Sequence, residues 1–334
     1  MIRVAIASFA HMHAYSYARV LKELEAEGRV VFRAVFDDNR ERLSRVFSMY
    51  KPEKVYEDIH ALAEDRDVDA VIVASENSRH KDHAIPLIKS GKHVLVEKPI
   101  ATRYRDALEM VEEARRRGVK LQTAFVMRYH DASAEVKRLI DRGVVGEIRA
   151  ITSTNHGKNP MDWFVKRELS GGGALMDHIV HVADLVRWYT GREFREVVAF
   201  VGRNLRPDIE VEDNGLVIAR LDNDVPVSID CSWSRPSTWP VWGDVYMHIV
   251  GERGSITLNA FNQNISLADQ ESFKWVYYGS DADRNMIESF IESIERDLEP
   301  LASGLDGLRA LEVVIAAYKS WFEKRIVRIS EIRE

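Results

Sequence analysis

The feature that most constrains this chain is the regular alternation of short apolar runs with amphipathic stretches across its first 125 residues. Residues 2–7 predict a short buried strand, and a helix is expected from about Tyr15 to Ala26. The pattern then repeats. Strands are expected at Val30–Phe36, Val55–Tyr56, Ala70–Ala74, His93–Val96 and Lys120–Phe125, with helices between them at Arg40–Met49, His80–Ser90 and Arg103–Arg117. In the last of these helices Ala107, Leu108, Val111 and Ala114 recur at helical spacing and make one apolar face. Gly91 is a suitable helix C-terminal cap before the following strand. Strands separated by helices of this length pair in parallel, with helices covering both faces of the sheet.

After about residue 145 the texture changes. Glu147–Asn155, Glu196–Arg203, Asn214–Leu221, Val225–Trp233, Tyr246–Gly251 and Gly254–Asn259 read as strands, and several are joined by turn chemistry such as Asp222-Asn223-Asp224 and Glu252-Arg253-Gly254. A long helix over Ala174–Tyr189 interrupts this series, and Gly304–Glu323 is a final helix. The expected fold class is therefore α/β. A doubly wound parallel sheet over 1–125 is followed by an α+β domain over 126–334 with a large, mostly antiparallel sheet. The final helix is expected to pack back on the first domain. Two domains also suit a chain of 334 residues, which exceeds the usual size of a single core.

Composition excludes several classes of function. The formal net charge of −6 argues against nucleic acid as a partner, because such domains carry a basic face. The run Arg115-Arg116-Arg117 lies on the polar side of a helix and reads as a solvated face. Cys231 is the single cysteine, so no intrachain disulfide and no cysteine-based zinc site can form. A reducing, cytoplasmic location is the expectation. No signal-peptide layout and no apolar run of about 20 residues is present, so no membrane partner is expected.

A dinucleotide-binding turn normally uses glycines to bring the backbone close to a pyrophosphate at a helix N-terminus. Here the first strand is followed by Ser8, Phe9, Ala10, His11, Met12 and His13, with none of those glycines. Small residues and the open amides of the helix still permit an approach, and Ser8 to Met12 are candidate cofactor contacts. Asp37 closes the second strand, where a carboxylate can accept bonds from an adenosine ribose and disfavour a 2′-phosphate. NAD is therefore expected, with NADP kept open by the nearby Arg40. The alternative role for Asp37 is to cap a turn or the following helix. Ser75, Asn77 and His80 fall at another strand end, where ligands of open α/β sheets bind, and they too read as cofactor contacts or helix caps.

From Gly91 to Ile100 the chain reads Gly-Lys-His-Val-Leu-Val-Glu-Lys-Pro-Ile, a strand ending in Glu97-Lys98-Pro99. Further on come Ala124-Phe125-Val126-Met127-Arg128-Tyr129, Gly171-Gly172-Gly173-Ala174-Leu175-Met176-Asp177 with His181, and Asp306 to Glu312. In this order the motifs resemble the glucose-fructose oxidoreductase/inositol dehydrogenase (Gfo/Idh/MocA) family over nearly the whole chain. The resemblance implies a Rossmann-type NAD(P)-binding domain, with Glu97 and Lys98 beside the cofactor. Lys98 would also face the reacting carbon, and Pro99 would follow a cis peptide. It further implies that Asp177 and His181, four residues apart on one helix face, act as an orienting carboxylate and a base. His181 would accept the hydroxyl proton as hydride leaves, and the Lys98 charge would favour the developing alkoxide. The family commonly assembles through the second-domain sheet, so a homodimer or homotetramer is expected.

Histidines are unusually dense. His13, His156 and His178, with Arg128 and Trp163, are candidate substrate contacts in a polar, sugar-like pocket. Asp177, His181 and His156 could instead hold zinc or manganese, but the reading adopted has no metal. Ile179 stands where the family often has glycine. Trp233 and Trp239 read as subunit-interface residues. Lys158 and Arg167 could attract an acidic substrate. The function expected is hydride transfer between NAD(P) and a hydroxyl carbon of a sugar, cyclitol or related polyol. Two alternatives stand beside it: a glycosidase- or lyase-type enzyme using transient oxidation, and a nucleotide-binding regulator without catalysis.

Overall fold

The alternating half forms a six-stranded parallel sheet. Its elements, in a computed structural model describing residues 1–262, 264–268, 273–277 and 279–334, are β1 (Ile2–Ala7), α1 (His13–Ala26), β2 (Val30–Phe36), α2 (Arg40–Tyr50), β3 (Lys54–Tyr56), α3 (Ile59–Glu64), β4 (Ala70–Val73), α4 (His80–Lys89), β5 (His93–Val96), α5 (Tyr104–Arg117) and β6 (Leu121–Thr123). The strand order is β3-β2-β1-β4-β5-β6, and every pairing is parallel. The central strands bury both faces: Val4 to Ala7, Ala70 to Val73 and Val94 to Val96 have no solvent exposure. That is why they read as unbroken apolar runs rather than as alternating ones. The strand order reverses between β1 and β4, so the crevice at their carboxyl ends is the topological switch point of the sheet.

The second series of elements is α6 (Asp131–Asp141), β7 (Ile148–Lys158), α7 (Arg167–Ser170), α8 (Val180–Thr190), β8 (Phe194–Gly202), β9 (Asn214–Leu221), β10 (Pro226–Arg235), β11 (Tyr246–Gly251), β12 (Ser255–Asn259), β13 (Asn264–Ala268), β14 (Phe273–Tyr277), α9 (Ala282–Glu295), α10 (Gly304–Glu323), β15 (Val327–Arg328) and α11 (Ser330–Arg333). Seven strands make one sheet in the order β12-β11-β7-β10-β9-β8-β15, antiparallel except where β7 meets β10. In β9 the buried residues Gly215, Val217, Ala219 and Leu221 alternate with exposed Leu216, Ile218 and Arg220, the period-two signature of a sheet with one covered face. Val180 to Val186 of α8 are all buried, so this helix is enclosed on every side.

The chain divides into two compact units, and here the expected boundaries need correction. The first unit joins Met1–Val126 to Ala282–Leu308; the second joins Met127–Asp281 to Arg309–Glu334. The segment that returns to the nucleotide half is α9, and not the final helix as a whole. Its Met286, Ile287, Phe290 and Ile291 are buried, and Arg284 forks onto Glu27 at the end of α1 at 2.9 and 2.6 Å. The division falls within α10, after Leu308. Among the described residues no helix is long and apolar enough to cross a membrane.

Candidate active site

In the first unit the turn after β1 does without glycine because side chains hold it. Ser8 adopts the left-handed conformation, φ +73°, which costs a non-glycine residue on the order of 1–2 kcal/mol. The compensation is visible in the hydrogen bonds. Ser8 N donates to Phe36 O at 2.7 Å and His11 N to Ala74 O at 3.0 Å, which pins the turn to the ends of β2 and β4. Ala10 N donates to Ser8 Oγ at 3.2 Å, and Phe9 N donates to Asp37 Oδ2 at 2.8 Å. The Phe9 side chain is buried, packed against the rings of Tyr15 and Tyr50, and Met12 is largely exposed.

Asp37, expected at the ribose, belongs to this scaffold instead. Beyond Phe9 N it accepts from Asn39 N at 2.9 Å and from both arms of the Arg42 guanidinium at 2.8 Å. Two donors on each oxygen fill the acceptor directions of a carboxylate, and the side chain has no exposure. The more open acid is its neighbour Asp38, which pairs with Arg79 at 2.5 Å. Arg79 and Arg42 both also approach Glu76, at 3.7 and 3.9 Å.

Glu97 is the hub of the unit. It is fully buried at the end of β5. His13 Nδ1 lies 2.9 Å from its Oε1, the Tyr17 hydroxyl donates a very short bond to the same oxygen, and Lys98 N donates to Oε2 at 3.0 Å. His11 Nδ1 stands 3.8 Å from Oε1 and accepts the His13 amide at 3.2 Å. Burial alone would raise the Glu97 carboxyl, but His11, His13 and Lys98 outweigh it and hold it well below the usual range. Burial would lower His13; the Glu97 charge and hydrogen bond raise it instead. The Lys98–Pro99 peptide is cis.

His80, expected at the cofactor, is another correction. It has no exposure, and its two ring nitrogens face Pro99 O at 2.8 Å and Ser75 O at 3.2 Å, so it ties the Lys98–Pro99 corner to the end of β4. Burial lowers its pKa. Ser75 and Asn77 are buried beside it, and Asn77 begins a single 3₁₀ turn leading into α4.

The second unit is built around the glycine run 171–173. Gly171, φ +76°, ends α7. A Cβ on Gly172 would lie 1.9 Å from the Tyr318 hydroxyl, and one on Gly173 would lie 1.8 Å from the Glu212 carbonyl oxygen, so both positions require the bare backbone. Close approach lets the Glu212 carboxylate accept from Gly173 N at 2.7 Å, Leu175 N at 3.2 Å and the Tyr318 hydroxyl at 2.6 Å. An acid at this helix N-terminus satisfies amides that have no partner within the helix. The helix begins with a π turn over Leu175–Ile179 and continues as α8. Such turns are frequent at functional sites, and this one carries Asp177 and His178. Asp177 Oδ2 accepts the Trp233 indole N–H at 3.0 Å and lies 3.1 Å from His178 Nε2. His178 Nδ1 donates to Asn155 O at 2.7 Å, and a carbonyl can only accept, so that nitrogen carries a proton. His181 is buried one turn further on.

Other expectations for this unit change. Arg128, expected at the substrate, is buried and forks onto Asp184 at 2.8 and 2.6 Å. Trp163 stacks on Phe164 at 3.8 Å in a core cluster with Ala174, Ile209, Val211 and Trp233, so it is a packing residue. Trp233 is buried in the same cluster and is not an interface residue. Both were read from composition, which does not say whether an aromatic faces a ligand or a core. His156 lies between two carboxylates, with Nδ1 3.2 Å from Asp244 and Nε2 3.2 Å from Asp230. The hydrogen bond to Asp244 raises its pKa. Asp244 also holds Arg235, whose guanidinium covers the Trp239 ring at 4.3 Å. Among the described residues Asp177, His181 and His156 do not form a metal-type group; the one that does is His11, His13 and Glu97.

Tyr17, Glu212, Tyr318 and Asp244 were not read from the sequence. Tyr17 had a signal, four residues after His13 on α1. The others meet their partners across tens of residues, and no local pattern announces that.

Residues 2–125 match the family model described as "Oxidoreductase family, NAD-binding Rossmann fold", and residues 133–257 match the GFO/IDH/MocA C-terminal domain. The chain is 29% identical over 318 residues to a myo-inositol 2-dehydrogenase of Thermotoga maritima, covering 90% of this chain and 92% of that one. It is 26% identical to a 2,7-anhydro-N-acetylneuraminate hydratase of Mediterraneibacter gnavus, covering 94% and 93%. A crystal structure of a probable dehydrogenase from Thermotoga maritima superposes with a TM-score of 0.86 at 26% identity, covering 99% of this chain and 100% of that one. With both halves matched in order, the chain belongs to the Gfo/Idh/MocA family of oxidoreductases.

Proposed function

We propose that this protein is an NAD-dependent dehydrogenase acting on a secondary hydroxyl of a cyclitol, sugar or related polyol. The observation that carries the reading is Asp177, a buried carboxylate aimed by the Trp233 indole N–H, one helical turn before His181. A base that must take a hydroxyl proton needs its acid partner oriented in this way. The inositol dehydrogenase relative supplies the substrate class.

The residues fit the cofactor. The first turn of α1 carries no acidic residue, as a diphosphate at a helix N-terminus requires. With Asp37 committed to the turn, Asp38 is the acid offered to the adenosine ribose, and it favours NAD over NADP. Ser8 to Met12 are the backbone nearest the diphosphate, and Ser75 and Asn77 are contacts further along. NAD, when bound, supplies the hydride acceptor. The chain's own residues do the rest: His181 accepts the hydroxyl proton, Asp177 orients and charges it, and Lys98 places an ammonium where the oxygen becomes anionic. A localised cation is worth most in a buried site of this kind.

The relative that is a hydratase favours a second reading, in which a carbon is oxidised, a neighbouring group is eliminated or water added, and the hydride is then returned. The deciding experiment is a panel of polyols, sugars and sugar acids with NAD and with NADP, followed by the absorbance of reduced nicotinamide and by product analysis. Stoichiometric NADH supports the dehydrogenase; turnover without NADH supports the transient cycle. Lys98→Ala should lower kcat/KM by about 100-fold or more; unchanged turnover would remove Lys98 from the mechanism.

The exposed face of the seven-stranded sheet supports a homodimer or homotetramer. Phe200 pairs with Leu216 across β8 and β9, and Ile218 stands beside them, all substantially exposed. Light scattering that returned a monomer mass at working concentration would refute this.

A further inference from the structure

We propose that His11, His13 and Glu97 form a binding site for a divalent transition-metal ion of the zinc class. The site lies on the turn that the proposed function gives to NAD, but the ion takes no part in the hydride chemistry above. One nitrogen from each ring and one carboxylate oxygen all lie within 4.8 Å of one another. The rings stand 4.4 Å apart, edge to face, and both turn toward Glu97 Oε1. Donors bound to one tetrahedral ion at about 2.0–2.2 Å are roughly 3.3–3.6 Å apart. The two histidine-to-carboxylate separations, 2.9 and 3.8 Å, bracket that spacing, and an ion on His11 Nδ1 would displace the His13 amide that donates to it.

The donor set is two imidazoles and one carboxylate, which suits zinc or cobalt and not the hard cations. Three protein ligands leave a coordination position, and the partly exposed His13 gives the ion a path from solvent. Metal sites also need outer partners that orient the ligands. Here Tyr17 and Lys98 N hold the carboxylate, and the turn bearing both histidines is pinned by His11 N to Ala74 O and Phe9 N to Asp37. The ion would replace the proton between His13 and Glu97, and that proton leaves to solvent. Among the described residues the second unit offers no equivalent group, and Asp244 beside His156 is already paired with Arg235.

The test uses the full chain, stripped with a chelator and equilibrated with Zn²⁺ or Co²⁺ alone. The expected result is one ion per chain by elemental analysis, a visible Co²⁺ band typical of four- or five-coordination, and a rise in Tm with Zn²⁺. His11→Asn and His13→Asn should each lose the ion. Tyr17→Phe, which keeps all three ligands, should bind about 10-fold more weakly. His156→Asn should bind like the parent. No ion retained by the parent, or equal retention by the His11→Asn/His13→Asn double variant with a parent-like apo Tm, would overturn the site. Titrating NAD into the same preparations keeps the two readings apart. NAD binding without metal refutes only the metal site, and metal without NAD refutes only the dehydrogenase.

Discussion

Glu97 and Asp177 are both buried carboxylates at the heart of their own units, and they are satisfied in different ways. Glu97 gathers two histidines, a phenol and a backbone amide around it. Asp177 receives an indole N–H, which does not titrate, and faces a histidine whose other nitrogen is committed to a carbonyl. The first arrangement makes a permanent anion that fixes the backbone of Lys98. The second aims one carboxylate oxygen by a neutral, rigid donor, one helical turn before His181. On the proposed function, Glu97 is a supporting residue and Asp177 an acting one.

The largest test of that contrast is kinetic. His181→Asn is expected to lower kcat by about 10²–10⁴-fold, while NAD affinity by calorimetry stays within a few-fold of the parent. Loss of NAD binding instead would assign His181 to the scaffold. Next is the Arg128–Asp184 fork. Asp184→Ala should destabilise the protein by about 3–5 kcal/mol, because it leaves a buried guanidinium without its partner. Urea titration measures this. A variant of parent stability with a raised KM would return Arg128 to the substrate.

A matched pair of single-bond deletions divides the two carboxylates. Trp233→Phe and Tyr17→Phe each remove one hydrogen bond, worth about 1 kcal/mol of stability. Trp233→Phe should also lower kcat by about 10-fold at unchanged NAD affinity, since it frees Asp177 to rotate. Equal kcat effects from both would erase the distinction.

The last test lies away from both sites and calibrates them. His83 is buried with its ring edge-on to Phe36 at 5.2 Å, and burial pushes its pKa down to about 3. Between that value and 6.5 the unfolded chain binds a proton that the folded chain refuses, so stability falls as pH drops through this window. The slope is on the order of 1 kcal/mol per pH unit, and His83→Phe should flatten it in acid melts. An unchanged slope would mean that other groups control the acid limb.

The parallel half was legible because its central strands bury both faces, and β1, β4 and β5 therefore appear as unbroken apolar runs. The return of α9 to that half was not, since its apolar positions 286, 287, 290 and 291 say that a face is buried without saying against what. The candidate site divides in the same way. Glu97, Lys98, Asp177 and His181 stood out by motif, and His13 by composition. Asp37, His80, Arg128 and Trp163 had side chains of the right chemistry, but each turned out to be consumed inside the protein.

The turn from Ser8 to His13 shows where that boundary lies. Residue order alone established that a strand ends there, that a helix follows, and that no glycine is available to relax the backbone. That Ser8 is held in a left-handed conformation, that Asp37 from 28 residues away caps Phe9 N, and that both histidines converge on Glu97 became visible only in three dimensions. Period and propensity report which side of an element is buried. The identity of a hydrogen-bonding partner depends on which distant elements share that burial, and this is set by the packing of the whole sheet.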